Sequence, residues 1–253
     1  VINADGKVEA LAEGAPGDSR DLWFERFGTH IADILHEAGM PYCPGGVMAK
    51  NSRWRGSIAT WRERIGDWIQ RSRPEDLLCV DIFFDMRAVH GDGVLADQLW
   101  RQAFDSANGQ AAFAKLLAEA AGAIAPGFTL FGRFKTEQGR IDLKKTGLFG
   151  IVTAARALAI CHHVVERSTK ARLAGIKALG LGSGPDLDAL SEAQGIFLDL
   201  VVAQQIEDME HGIPPSNAVA VSRLSRRDRE RLRFALQAVG HLDELTRDLW
   251  FRA

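Results

Sequence analysis

The chain has 253 residues, 46% of them hydrophobic and 25% charged, with a net charge of −2. That is globular composition with length for one large domain or two modest ones, and the charge balance excludes a protein that is basic throughout for nucleic acid. Cys43, Cys79 and Cys161 are an odd number without CxxC spacing, which speaks against a disulfide framework or a zinc knuckle and for a reducing, cytoplasmic setting.

No apolar run reaches membrane-spanning length, and the start lacks the basic-then-apolar pattern of a signal peptide. In chain order, Val1-Ile2 predicts a strand end running into the polar loop that follows. Ser19 offers an N-cap, and Leu22, Trp23, Phe27, Ile31, Ile34 and Leu35 recur at helical spacing up to Gly39. Cys43 to Ala49 predicts a turn and a short strand. From Trp54, the positions Ile58, Trp61, Ile65, Trp68 and Ile69 step by three and four, an amphipathic helix closed by Pro74. The apolar and aromatic start of Leu77–Val89 predicts a buried strand.

Beyond Gly93 helices are expected over 94–107, 110–124, 147–166, 169–180, 186–211 and 222–252, broken at Pro126, Gly184-Pro185 and Pro214-Pro215. Phe128–Phe134 is the extended piece expected in this half. The reading is a mainly α chain, a partial α/β portion over 1–92 followed by a helical bundle over 93–253.

The seven histidines show no HxxxH or HExxH spacing, and no GxSxG elbow is present. "GLGSG", Gly180 to Gly184, follows a helix and lacks a Lys-Ser/Thr pair, so it predicts a helix stop and loop rather than a phosphate cradle. Asp81 and Asp85 stand four apart in the strand-like run, so both face one side. They suit a pair of carboxylates holding Mg²⁺ against triphosphate oxygens, or equally an ion pair with Arg87 and the cap of the next helix. Arginines crowd the tryptophan helix (Arg53, Arg55, Arg62, Arg64, Arg71, Arg73) and the start of the last one (Arg223, Arg226, Arg227, Arg229, Arg231, Arg233). The second cluster reads as a solvated face laced with ion pairs, with nucleic-acid binding the least favoured use.

Several strings together resemble one family: "PYCPGGVMAKNSRWRGSIATWRERIGDWI", "IFFDMRAVHGD", "LFGRF", "IDLKKTGLFGIVTAARALAI", "STKARL" and "GIPPSNAV". They are similar to bacterial nucleotidyltransferases with a dedicated substrate-binding domain, related to the PII-protein uridylyltransferase and the glutamine-synthetase adenylyltransferase. The resemblance implies a polymerase-β-like catalytic domain followed by a helical domain, with upstream regulatory domains as partners. It implies transfer of a nucleotidyl group from a nucleoside triphosphate to a protein acceptor, assisted by Mg²⁺. The competing expectation is a non-catalytic signalling or protein-binding module with a vestigial cleft.

The family signature, a Gly-Ser turn opening a helix followed by an Asp-x-Asp strand, is absent. Against the resemblance this implies either that the chain starts inside the catalytic domain or that the protein has lost its metal site, and in either case that the chain by itself transfers nothing. On the matching strings, Gly45, Gly46, Met48, Asn51, Trp54 and Arg55 are expected to wall the nucleotide cleft. Asp85 or Asp81 is the expected catalytic acid, with Asp85 as a metal ligand and Arg87 on it or on phosphate. Lys144, Lys145, Thr169 and Arg172 form a second patch where the acceptor is expected to dock.

Overall fold

A computed structural model describes residues 2–3, 19–121 and 125–251. The chain is mainly α, and its internal contacts divide it into two units: Val1–Gln70 with Met86–Ser106, and Arg71–Asp85 with Ala107–Ala253. Among the described residues no helix is long and apolar enough to cross a membrane.

In the first unit β1 (Ile2–Asn3) pairs in parallel with β2 (Gly56–Ser57), and α1 is Ser19–Glu37. Cys43–Ala49 forms turns without the expected strand; the strand lies later, at β2. The helix α2 (Ile58–Arg71) buries Ile58, Trp61, Ile65, Trp68 and Ile69, the spacing that the sequence shows. Trp54 sits in a single 3-10 turn before α2, and its ring closes a triangle with Trp61 and Trp68, with centroids 6.3–6.5 Å apart. These three rings are hydrophobic ballast with favourable tilted and edge contacts. The helix α4 (Gly93–Ala107) buries Leu99, Trp100, Ala103 and Phe104, and Arg62 on α2 donates to Gln102 on α4 at 3.0 Å. By contrast Leu22, Trp23, Phe27, Ile34 and Leu35, the apolar stripe of α1, stay exposed.

The second unit begins at Arg71. Leu77–Phe83, expected as a strand, is a helix, α3. The buried positions Cys79, Val80, Phe83 and Phe84 step by one, three and one, a helical face and not the alternation of a strand. Pro74 begins the preceding turn, where Arg73 holds Asp76 at 2.7 Å. α5 (Ala111–Ala121), α6 (Phe149–Cys161), α7 (Thr169–Ala178) and α8 (Gly184–Glu210) follow.

The single helix expected over 222–252 is two, α9 (Arg226–Val239) and α10 (Leu242–Phe251). Ser225 caps α9, its hydroxyl accepting from the Asp228 amide at 3.1 Å, so the helix starts later than its charge pattern suggests. Gly240 and His241 close it with tight backbone bonds to Gln237 and Ala238.

α6 is the hub. Every residue from Thr153 to Ile160 is buried, as required of a helix covered on all sides, here by α5, α7 and α10. α8 packs along α9. A short antiparallel pair missed by the sequence reading, β3 (Arg140–Asp142) with β4 (Ala218–Ala220), lies on α8. It is fastened by Arg140, both of whose terminal nitrogens reach the fully buried Asp208 carboxylate at 2.7 Å. Gln204 donates to the same carboxylate and accepts from the Ala220 amide. Phe128–Phe134, expected to be extended, is a tight hairpin bridged at its two ends.

Candidate functional site

The loop before α2 brings four of the expected cleft residues together. Gly46 has φ +70°, a conformation that glycine adopts without strain, and its carbonyl accepts from the Asn51 side chain. The Gly46 amide closes a turn onto Cys43, and the Asn51 amide closes one onto Met48. Gly45 is exposed at the tip, and Met48 and Asn51 are half-buried.

The other two expected cleft residues serve the frame. Trp54 belongs to the ring triangle. Arg55 is buried, with Nε on Asp21 of α1 at 2.8 Å and Nη1 on the Lys50 carbonyl at 2.8 Å. The Asp21 hydrogen bond raises the Arg55 pKa further above its ordinary value, against the effect of burial. Arg64 on α2 donates to the carbonyls of Ser52, Arg53 and Arg55. Two guanidinia thus hold the loop from beneath. α1 approaches so closely that a Cβ on Gly28 would stand 2.7 Å from the Ala49 carbonyl.

The carboxylates are elsewhere, in the second unit. Asp81 on α3 and Asp85 just after it face one side, because four residues return to the same side of a helix as they do in a strand. Arg87 is exposed, and the partners of the two acids are other arginines. Both meet arginines more than seventy positions away. Arg156 of α6 places Nη1 2.8 Å from Asp81 Oδ1, close but not aligned as a hydrogen bond, and donates to both oxygens of Asp85. Arg172 of α7, 1% exposed, gives Nη1 to Asp85 Oδ1 at 2.7 Å, Nη2 to the Phe84 carbonyl and Nε to the Glu166 carbonyl at 2.9 Å.

Burial raises the Asp81 pKa above the ordinary carboxylate value, against the pull of Arg156. Burial acts the same way on Asp85, but the hydrogen bonds and charges of Arg156 and Arg172 outweigh it and hold that carboxyl below the ordinary range. Burial lowers the Arg172 pKa, and Asp85 opposes it.

Two carboxylates and two guanidinia carry no net charge. A divalent cation needs carboxylate oxygens free to coordinate and a surplus of negative charge. In this arrangement the quartet fits a clamp between α3, α6 and α7 and does not fit Mg²⁺. Among the described residues no group of three or more His, Cys, Asp or Glu stands together as a metal site.

The four residues of the expected acceptor patch divide in two. Lys144 and Lys145 stand exposed on a π-helical turn, Lys144–Leu148, whose first amides are capped by the Asp142 carboxylate at 3.0 and 3.1 Å. They line an open cavity of about 540 Å³ with Asp142, Phe149 and Asn217. Thr169 and Arg172 do not line it; Thr169 is buried at the first position of α7, after the Ser168 cap. Arg172, expected on the acceptor side, instead joins Asp81 and Asp85.

Arg156 was not singled out by the sequence reading. Its signal was present: a lone charge inside the apolar run "IVTAARALAI" has to find a carboxylate. Cys161, at the end of the same helix, has its thiol pKa pushed up to about 12 by burial, which makes it inert as a nucleophile.

Family models match the two regions separately. The model described as "Putative nucleotidyltransferase substrate binding domain" matches residues 111–248, over half of the chain, and the one described as "Putative nucleotidyltransferase DUF294" matches residues 9–75. No curated protein and no solved structure matches the chain.

Proposed function

Because the chain belongs to the family of nucleotidyltransferase substrate binding domains, joined to a nucleotidyltransferase domain, we propose that it serves transfer of a nucleotidyl group to a protein acceptor. The observation that carries this reading is the match over 111–248, which takes in most of the helical unit. In the reaction an acceptor oxygen attacks the α-phosphorus of a nucleoside triphosphate, the bond to the β-phosphate oxygen breaks, and pyrophosphate leaves with its electron pair. The acceptor's proton passes to solvent or to a base. Gly45, Gly46, Met48 and Asn51 form the nucleotide-facing loop of this proposal, and the helical unit is its acceptor side. No step is routed through a metal at Asp85. A cytoplasmic location and regulatory domains acting on the pair belong to the same proposal.

A second reading, a protein-binding module without transfer, is favoured by the neutralised quartet. Binding of a fluorescent nucleoside triphosphate to the chain separates the two. Saturable binding is expected, weakened about tenfold by Asn51→Ala, which releases the Gly46 carbonyl and loosens the turn. No saturable binding of any of the four nucleotides at millimolar concentration overturns the transferase reading and leaves the module.

A further inference from the structure

The last arginine cluster sorts into two sets. Arg223 is paired with Glu207 at 2.6 Å, and Arg231 with Asp199 and Asp228 at 2.7 and 3.3 Å. These form the ion-pair-laced surface anticipated from the sequence. Arg229 and Arg233 behave differently: their nearest polar partners are the backbone carbonyls of Ser222 and Gly132, at 2.8 and 3.1 Å.

Arg233 also lies over the rings of Phe128 and Phe134, 5.6 and 5.1 Å from their centroids. It thereby fastens the 128–134 hairpin to α9. A groove of about 640 Å³ opens between them, lined by Arg133, Arg226, Arg229, Arg233 and Glu230 over the Phe134 ring. Glu230 is taken by Arg226 at 3.0 Å. Among the described residues no carboxylate lies within ion-pairing distance of Arg133, Arg229 or Arg233, so three positive charges share one groove of a chain whose net charge is −2. At its edge the hairpin tip presents Leu130 and Phe131, 102% and 90% exposed.

We propose that this groove docks an acidic segment of a protein partner in which carboxylates alternate with apolar residues. Forked guanidinia match carboxylates in pairs, and arginine beside exposed aromatic surface is the composition of interface anchors. A nucleobase is the poorer fit, because the Phe128 and Phe134 rings already stack on each other and are both covered by Arg233. The proposal goes beyond nucleotidyl transfer and does not depend on it, since the groove's charge acts whether or not the nucleotide-facing loop is occupied.

The test is fluorescence anisotropy of the full chain with three probes: a short labelled peptide alternating Glu and Asp with Leu and Phe, its Gln/Asn counterpart, and a single-stranded oligonucleotide. The acidic peptide is expected to bind saturably, at least about tenfold tighter than either other probe, and to weaken as salt is added. Arg133→Glu with Arg229→Glu is expected to lower that affinity about tenfold or more at unchanged circular dichroism. Arg101→Glu with Lys170→Glu, an equal change of net charge at residues that do not line the groove, is expected to leave it within about twofold. Arg133→Ala, which removes no internal hydrogen bond, weakens binding in the same direction without risk to the fold. Equal binding of the acidic and amide peptides, equal losses in the two double variants, or tighter binding of the oligonucleotide overturns the proposal.

Discussion

Arg172 joins two distant segments of the helical unit. Its three nitrogens reach the Asp85 carboxylate, the Phe84 carbonyl and the Glu166 carbonyl, so one guanidinium fixes the end of α3 and the entry to α7. A lysine offers one ammonium on a flexible stem and cannot span these acceptors. Arg172→Lys is therefore expected to leave the buried Phe84 carbonyl short of a donor and to weaken a pair whose carboxylate is 42% exposed, losing about 2 kcal/mol in urea unfolding. A loss under about 1 kcal/mol would mean that the clamp is dispensable. At this scale the sequence was legible in residue identity but not in partnership. Asp81, Asp85 and Arg172 stand out by residue type, but their spacing offers Arg87 or a metal as partner and not Arg156. A contact across 71 to 87 positions has no local signature. Only the isolated charge of Arg156 in an apolar helix pointed to it.

Elements were most legible where one face alone is buried. α2 keeps the three-and-four spacing of its tryptophans, and "GLGSG" is the predicted stop, with Gly180 and Gly182 at positive φ and Ser183 capping α8. α3 was misread because a short apolar run fits a buried strand or a buried helix equally well, and what decides is the set of partners brought by α6 and α7. The same dependence on distant partners sets the turn before α6. Gly147 is buried there, and a Cβ would stand 2.3 Å from the Phe197 ring of α8. Gly147→Ala is expected to force the two apart, costing about 1–3 kcal/mol by overpacking, read as a lower midpoint in thermal unfolding. An unchanged midpoint would show that the π-helical turn yields freely.

At the scale of the molecule, the order of the chain and the order of its contacts differ. Residues 71–85 group with the helical unit although the residues that follow them, 86–106, group with the first. The family match over 111–248 leaves Asp81 and Asp85 outside, so a fragment cut near that boundary strands two buried guanidinia. Replacing Arg156 and Arg172 together by leucine should then change sign with context. In the full chain it leaves the largely buried Asp81 and the half-exposed Asp85 unpaired and costs about 2–3 kcal/mol, and in a 107–253 fragment it removes unpaired charges and stabilises. Destabilisation in both, by urea unfolding, would contradict the assignment of the clamp. The mainly α class and the two-part family organisation were legible because they follow from periodicity and from contiguous strings. The crossing of segment 71–85 was not, since it is a property of contacts alone.

We propose a division of labour: the Gly45–Asn51 loop faces the nucleotide, and Asp85 serves a structural clamp. Thermal unfolding and fluorescent nucleoside triphosphate binding with Mg²⁺, measured side by side on the wild type and Asp85→Asn, test it most directly. The expected result is a melting temperature lower by about 5 °C or more with the nucleotide Kd unchanged. A Kd raised about tenfold at an unchanged melting temperature would contradict it and return Asp85 to the metal.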